Sequence, residues 1–196
     1  MRRGKTRTLG DDASRVHVSE YGEQVCAIAV TFQSRPIERY AMAKAYFSTV
    51  FEASADNVWA AIRDFSSYEW AGVVSDVHME EGKAGDAVGG IRNVRTADRQ
   101  IRQRLLAHSD RDRFYTYELC EPVPFPVQGY EATLRVTPVT DGNRAFIEWW
   151  ATFDCEAGER DRWTNYFKND GFANWLNSLR AYLNPPDARK QSAGMR

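Results

Sequence analysis

The feature that most constrains the fold is a succession of short segments in which apolar and polar residues alternate, separated by Gly, Pro and Asp residues. The segments cover residues 74–80, 90–96, 100–107, 113–120, 130–139 and 144–154. Alternation with a period of two is typical of half-buried β-strands, and turn residues at short intervals favour antiparallel hairpins. The sequence therefore predicts about six consecutive antiparallel strands.

One further strand and two helices flank these segments. Residues 46–51 are rich in aromatic and β-branched residues and predict a strand, after which Ser54 is a candidate N-cap for a short helix. Residues 159–183 carry an apolar stripe at helical spacing and predict one long helix, with a kink at Gly171. This order predicts an α+β fold in which a curved antiparallel sheet of six or seven strands wraps around the C-terminal helix and encloses an apolar cavity.

The chain divides into three parts by composition. Residues 1–44 carry eight Lys or Arg against five acidic residues and scattered apolar side chains, so we expect a weakly ordered N-terminal extension. Residues 45–184 contain all the strong periodic patterns and form the predicted ligand-binding domain. Residues 185–196 begin with two prolines and form a polar tail.

Charge and residue usage exclude several classes of protein. The formal net charge is −1, so the chain lacks the basic surplus with which proteins bind nucleic acid or anionic membranes. The apolar run 25–30 is far shorter than the roughly 20 residues that a membrane helix needs. We therefore expect no nucleic-acid partner and no stable membrane insertion, whereas a monomer and a dimer both stay open.

Cysteine and histidine usage favours a protein without a metal. The three Cys and the three His lie far apart in the sequence and form no ligand motif. An odd number of Cys without a disulfide pattern is typical of a reducing compartment. We expect a cytoplasmic protein with no metal site and no cofactor.

The alternation also predicts which side chains face the cavity, because alternate residues of a strand share a face. Most of the inward-facing residues are large and apolar, and aromatic residues, which make up 13% of the chain, lie mainly after Lys44. Trp70 from the bend after the first helix and Phe172 from the long helix extend this wall. The predicted ligand contacts are Trp70, Gln103, Leu105, Tyr115, Leu119, Leu134, Trp149, Phe153 and Phe172.

Several short motifs along the chain resemble one superfamily. They lie at residues 51–59 (FEASADNVW), 91–92 (IR), 104–106 (RLL), 117–119 (YEL), 130–136 (YEATLRV) and 147–149 (IEW). Their order and spacing resemble the START-like, helix-grip superfamily (SRPBCC), in its polyketide cyclase/dehydrase branch. The resemblance covers about residues 45–183 and implies the helix-grip fold. It implies no single activity, because this superfamily includes cyclases, lyases, lipid carriers and receptors.

Within that branch the chain is also similar to the lachrymatory factor synthases of plants, whose working residues are an Arg, a Glu and a Tyr in an aromatic pocket. By motif, the Arg falls on Arg92, the pocket tyrosines on Tyr117 and Tyr130, and a pocket tryptophan on Trp149. The Glu position holds Gln103. An amide cannot accept and return a proton as a carboxylate does, so Gln103 cannot be a general base.

Two functions from different classes stay open at this point. The first is a carrier or sequestering protein that binds a small hydrophobic, aromatic or polyketide-like molecule. The second is a cofactor-independent cyclase, dehydratase or isomerase, in which Arg92, Tyr117 and Tyr130 are the catalytic residues and stabilise an oxyanion or donate a proton. The lack of an inward-facing carboxylate or histidine favours the carrier.

Overall fold

Seven antiparallel strands form one curved, open sheet in this computed structural model, which describes residues 40–72 and 74–184. The strands are β1 (Tyr40–Phe51), β2 (Asp76–Met79), β3 (Ile91–Arg95), β4 (Gln100–Ser109), β5 (Phe114–Leu119), β6 (Gln128–Val139) and β7 (Arg144–Glu156). Their order in the sheet is β1-β7-β6-β5-β4-β3-β2. The predicted hairpin succession is confirmed from β2 to β7, and β1 forms one edge of the sheet by pairing with β7.

Helices precede and follow the hairpins. Helix α1 (Ala55–Ile62) begins after Ser54, whose Oγ accepts a hydrogen bond from the Asn57 backbone N–H at 3.2 Å. The C-terminal helical run consists of α2 (Arg160–Asn165), a π-helical segment (Tyr166–Ala173) and α3 (Asn174–Leu183). Short 3₁₀ turns occupy Glu80–Gly82 and Ala157–Glu159. The α+β helix-grip fold is thus confirmed.

One predicted boundary differs from the structure. Strand β1 begins at Tyr40, so residues 40–44, which we assigned to the N-terminal extension, belong to the sheet. The reason is that Ala43 and Ala45 are buried against β7, and their small side chains carry little β-strand signal in the sequence. The extension before residue 40 and the tail after residue 184 lie outside the described residues.

The core lies between the concave face of the sheet and the C-terminal helical run. Burial alternates along the central strands as predicted, with Ile101, Gln103 and Leu105 buried on β4 and the odd-numbered residues 147 to 153 buried on β7. Phe167, Phe172, Leu176 and Leu179 supply the helical side of the core. No helix within the described ranges is long and apolar enough to cross a membrane.

A polar cluster holds the end of α1 against the turn between β4 and β5. Asp110 accepts hydrogen bonds from Trp59 Nε1 at 2.9 Å and from Arg63 Nε at 2.8 Å. The Arg63 and Trp59 donors hold the pKa of the Asp110 carboxyl well below its usual range. The chain after α1 is thereby directed inward, and it carries Phe65 and Tyr68 into the core.

Candidate functional site

A cavity of about 240 Å³ lies between the sheet and the C-terminal helical run. Residues from β3, β4, β5, β6 and β7 form its sheet side, and the helical run and three connecting segments complete it: the bend after α1, the turn between β3 and β4, and the loop between β5 and β6. The lining consists of Tyr68, Val94, Thr96, Asp98, Arg99, Ile101, Gln103, Tyr117, Leu119, Phe125, Tyr130, Trp149, Tyr166, Phe167, Asp170, Gly171, Phe172 and Trp175.

Aromatic rings form most of the inner wall. Trp149 on β7 stacks on Phe172 of the π-helical segment, with ring centroids 4.9 Å apart and an interplanar angle of 20°. Tyr130 on β6 packs against Phe167 at 4.9 Å between centroids. Tyr117 on β5 lies 6.5 Å from Tyr130 and continues the same wall. A wall of flat, apolar rings suits a flat, apolar ligand.

One buried polar pair interrupts this apolar surface. Arg92 on β3 is opposite Gln103 on β4 in the strand register. Its Nε and Nη2 atoms donate to Gln103 Oε1 at 3.0 and 2.6 Å, and its Nη1 atom donates to the Phe65 carbonyl at 2.9 Å. Gln103 lines the cavity, and Arg92 lies beside it with 0% of its surface exposed.

Arg92 is held by aromatic faces and not by an acid. The centre of its guanidinium lies 3.7 Å from the centroid of the Phe65 ring and 3.9 Å from that of Tyr68. Cation–π contacts of this kind stabilise a desolvated guanidinium. Within residues 40–72 and 74–184 no carboxylate forms a salt bridge with Arg92, and the buried polar residues are Arg92, Asn93, Gln103 and Thr133. The interior beside the cavity therefore carries an uncompensated positive charge.

The buried tyrosines are neutral hydrogen-bonding groups. Burial raises the pKa of Tyr117 well above its usual value of 10 and raises the pKa of Tyr130 in the same direction. The nearby hydroxyl of Tyr130 adds to this shift at Tyr117. Because both phenols keep their protons at neutral pH, they serve as donors and not as bases.

Charged and exposed residues mark the place where the cavity meets solvent. Arg99, in the turn between β3 and β4, donates to Asp98 Oδ2 from Nε at 2.9 Å and to the Tyr166 hydroxyl at 3.3 Å. Its guanidinium also lies 5.2 Å from the Phe125 ring centroid. The Arg99 hydrogen bond lowers the pKa of Asp98. These contacts join the hairpin turn, the loop before β6 and the π-helical segment around the mouth.

The structure brings together six of the residues singled out from the sequence. The predicted contacts that line the cavity are Gln103, Tyr117, Leu119, Tyr130, Trp149 and Phe172. Arg92 points inward and reaches the cavity wall through Gln103. The other predicted contacts are buried in the core and absent from the described lining, and they are Trp70, Leu105, Tyr115, Leu134 and Phe153. Neighbouring aromatic rings pack against three of these side chains: Tyr68 against Trp70, Phe65 against Tyr115, and Tyr130 against Phe153.

Sequence reasoning missed several lining residues. Phe167 and Trp175 lie on the stripe of the predicted long helix, so helical spacing was the signal that could have identified them. Tyr68 belongs to the same aromatic bend as Trp70. Phe125 lies in a proline-containing loop without periodicity. Nothing in its local sequence indicates that it folds over the cavity.

The described residues offer no ready metal site. No group of three or more His, Cys, Asp or Glu side chains in the described ranges is placed to hold a metal ion. The two described cysteines, Cys120 and Cys155, are buried free thiols, and burial raises the pKa of each.

Comparison with known sequences identifies one matching family. Residues 42–184 match the family model described as "Polyketide cyclase / dehydrase and lipid transport". The match begins two residues into β1 and ends one residue after α3, so it covers every described helix and all of the strands except the first two residues of β1. A search of curated proteins finds no match.

Solved structures share the same architecture. A protein from Thermobifida fusca is 29% identical with a TM-score of 0.63, and the alignment covers 71% of this chain and 92% of that one. An uncharacterised protein from Bacillus thuringiensis is 27% identical with a TM-score of 0.63, covering 72% of this chain and 98% of the other. Truncated norcoclaurine synthase from Thalictrum flavum is 12% identical with a TM-score of 0.60, covering 74% and 96%, and it shares the fold alone.

Proposed function

The chain belongs to the polyketide cyclase / dehydrase and lipid transport family, and on that premise we propose that it binds a small hydrophobic, aromatic or polyketide-like molecule in the cavity as a carrier or sequestering protein. The observation that supports this most strongly is the cavity of about 240 Å³ with an aromatic wall. Ligand pockets in proteins usually measure about 300–1,000 Å³. The ligand is therefore small, about the size of a single aromatic ring or of two fused rings.

The polar groups of the cavity favour binding over acid–base catalysis. Gln103 stands on the inner wall as an amide, and the phenols of Tyr117 and Tyr130 are protonated. The carboxylates in the lining are Asp98 and Asp170, which are both exposed at the mouth. The lowered pKa of Asp98 makes it a weak base. No group deep in the described lining is suited to remove a proton at neutral pH.

A second candidate function is an enzyme of the cyclase, dehydratase or isomerase type. The uncompensated charge of Arg92 beside the Gln103 amide favours it, because fixed positive charge stabilises an oxyanion as it develops. The hydroxyls of Tyr117 and Tyr130 would act as proton donors in such a reaction. Incubation with a linear polyketide-like substrate separates the two functions, since a carrier returns the molecule unchanged and an enzyme returns a dehydrated or rearranged product.

Residue usage bears on the partner and the location. The net charge of −1 supports a small molecule and not a nucleic acid as the partner. The scattered cysteines support a cytoplasmic location. Nothing in the proposed binding requires a metal or an organic cofactor.

The proposed binding can be tested by blocking the cavity. Gly171 lines it, and a Cβ added there would contact only the Tyr166 carbonyl oxygen, at 3.7 Å. A larger side chain at this position has room to enter the cavity. We expect the parent protein to bind 2-acetonaphthone in isothermal titration calorimetry, and we expect Gly171→Leu to lose at least about tenfold in affinity because the new side chain takes the ligand's place.

The matched control is Asn177→Leu, which adds the same side chain on the exposed face of α3. This variant should bind 2-acetonaphthone as the parent does. Equal affinities for the parent and Gly171→Leu would place the bound molecule elsewhere. Absence of binding to the parent would remove the proposed function for two-ring aromatic ligands.

A further inference from the structure

The orientation of the Gln103 amide is determined by Arg92. Two guanidinium N–H groups donate to Gln103 Oε1, at 3.0 and 2.6 Å. A guanidinium has donors and no acceptor, so the amide oxygen must face Arg92 and the amide nitrogen must face the other way. Because Gln103 lines the cavity, its Nε2 hydrogens are the polar atoms that this side chain offers to a ligand.

The other polar groups of the inner wall are donors as well. The hydroxyls of Tyr117 and Tyr130 keep their protons because burial raises the pKa of both. The indole Nε1 of Trp149 is buried and finds no acceptor within the described part of the chain. Arg92 adds a positive charge that no buried acid in the described ranges balances. The amide nitrogen of Gln103 and the indole nitrogen of Trp149 can only donate, while the two phenol hydroxyls can donate or accept, so these side chains together offer more donors than acceptors.

We infer that the ligand is an aromatic molecule bearing a carbonyl-type oxygen, in a ketone or a carboxylate, which accepts a hydrogen bond from Gln103 Nε2. This inference rests on the proposed function and adds the chemical group that the cavity selects. A buried donor without an acceptor is unfavourable, so a ligand that supplies the acceptor gains over one of the same shape that does not. The positive charge of Arg92 strengthens the interaction, because both Arg92 and Gln103 are buried.

Residue 103 is accordingly the specificity-determining position. A glutamate there would pair with Arg92, neutralise its charge and offer acceptor oxygens to the cavity. A carbonyl ligand would then meet like partial charges. Gln103 instead leaves the charge of Arg92 uncompensated and presents a hydrogen-bond donor to the cavity. The preference of the cavity for a ligand with an acceptor oxygen therefore results from this one amide.

The test compares ligands of one shape that differ in the acceptor. The probes are 2-acetonaphthone, 2-naphthoate and the hydrocarbon 2-ethylnaphthalene, titrated into the full chain and observed by ligand-detected NMR. The variants are Gln103→Glu, which inverts the polarity, and Gln103→Met, which removes the donor while keeping similar volume. For whichever oxygen-bearing probe the parent prefers, the ratio of its affinity to that of 2-ethylnaphthalene should fall at least about tenfold in both variants, since a hydrogen bond to a buried polar group contributes an energy of that size.

The two oxygen-bearing probes distinguish the sources of the acceptor. The parent should bind 2-acetonaphthone, 2-naphthoate or both more tightly than 2-ethylnaphthalene, and Gln103→Glu should weaken 2-naphthoate most because two carboxylates then repel. An unchanged ratio in either variant, or hydrocarbon binding as tight as that of both oxygen probes in the parent, would overturn the inference while leaving the proposed function intact. Failure of all three probes to bind the parent would instead count against the proposed function itself.

Discussion

At residue 92 the fold buries a guanidinium among neutral groups, which is energetically demanding because desolvation of a charge must be offset by hydrogen bonds and ring contacts. The Gln103 amide, the Phe65 carbonyl and the rings of Phe65 and Tyr68 supply them. Removing one member of such a set leaves the others buried without partners. The effects of substituting Arg92 and Gln103 on the free energy of unfolding should therefore be strongly non-additive.

This coupling gives the first prediction. Gln103→Met should lower the free energy of unfolding by about 2–3 kcal/mol, because two guanidinium N–H groups of Arg92 lose their acceptor in a buried site. The double variant Arg92→Met/Gln103→Met should recover at least about 1 kcal/mol of that loss, since both polar partners are then gone. Urea denaturation measures each value.

The control for this cycle is Arg95→Met on the same strand, where the side chain is exposed. It should change the free energy of unfolding by no more than about 0.5 kcal/mol. Strictly additive losses in the double variant would mean that the Arg92–Gln103 hydrogen bonds do not couple the two residues.

Prediction of individual residues from the sequence succeeded where the alternation of side chains along a strand determines which face of the sheet they occupy. The alternation on β4 placed Gln103 among apolar neighbours, and the structure buries it there. The orientation of Arg92 could not be derived in the same way, because its partners Phe65 and Tyr68 come from the bend after α1, more than 20 residues away in the sequence. No local pattern records such a contact.

At the scale of elements, the π-helical segment between α2 and α3 is the part of the helix that forms the cavity wall. It contains Phe167, Phe172 and Gly171, which all line the cavity. A π-helical turn inserts an extra residue per turn and so redirects the side chains that follow. Here it positions Phe172 to stack on Trp149.

The second prediction concerns Gly171. A Cβ at this position meets only the Tyr166 carbonyl oxygen, at the ordinary contact distance of 3.7 Å. Gly171→Ala should therefore raise the free energy of unfolding by about 0.5–1 kcal/mol, because alanine loses less backbone freedom on folding than glycine does. Thermal and urea unfolding report the change, and a loss of more than about 1 kcal/mol would show that the π-helical turn requires glycine.

Prediction of elements from the sequence was most successful for the hairpins and least successful at the ends and within the long helix. Turn residues at regular intervals delimit β3 to β7 in the sequence as they do in the structure. The expected kink at Gly171 is instead a π-helical segment of eight residues. Helical spacing cannot distinguish these cases, because the apolar stripe continues through the segment in both.

At the scale of the whole molecule, the buried phenols affect stability at high pH. Burial raises the pKa of Tyr68, Tyr115, Tyr117 and Tyr130 above the usual value of 10. The unfolded chain loses these protons near pH 10 while the folded chain retains them. Their contribution to stability is therefore complete below pH 10 and is lost as the pH rises from 10 toward the folded values.

The third prediction follows from this loss of stability at high pH. The free energy of unfolding should fall above pH 10 by about 1.4 kcal/mol per pH unit for each such tyrosine. The buried Cys120 and Cys155 thiols, whose pKa burial also raises, act in the same direction from about pH 9. Urea denaturation between pH 8 and 11 measures the slope.

Single substitutions test whether the buried tyrosines cause this dependence of the unfolding free energy on pH. Tyr115→Phe should make the fall in unfolding free energy with pH smaller by the contribution of one tyrosine. It should not destabilise the protein at pH 7, because the Tyr115 hydroxyl is buried and has no partner within the described residues. Tyr182→Phe, at a half-exposed position on α3, is the matched control. A stability that is constant up to pH 11 would contradict the burial of the four phenols.

At this scale the aromatic content of the chain was the best guide to the cavity. Aromatic residues make up 13% of the sequence, and many of those after Lys44 lie in the core or around the cavity. The sequence could indicate that a cavity exists and which strand faces line it. Its volume and mouth depend on how the loop with Phe125 and the π-helical segment pack on the sheet, which only the structure describes.

The most direct test of ligand binding in the cavity is a set of intermolecular NOEs between 2-acetonaphthone and the isotope-labelled protein. We expect contacts from the ring protons of the probe to Tyr117, Trp149 and Phe172, with its methyl ketone group close to the Gln103 side-chain amide. NOEs confined to exposed residues such as Met42 and Val88, with none from the cavity lining, would contradict the proposed site.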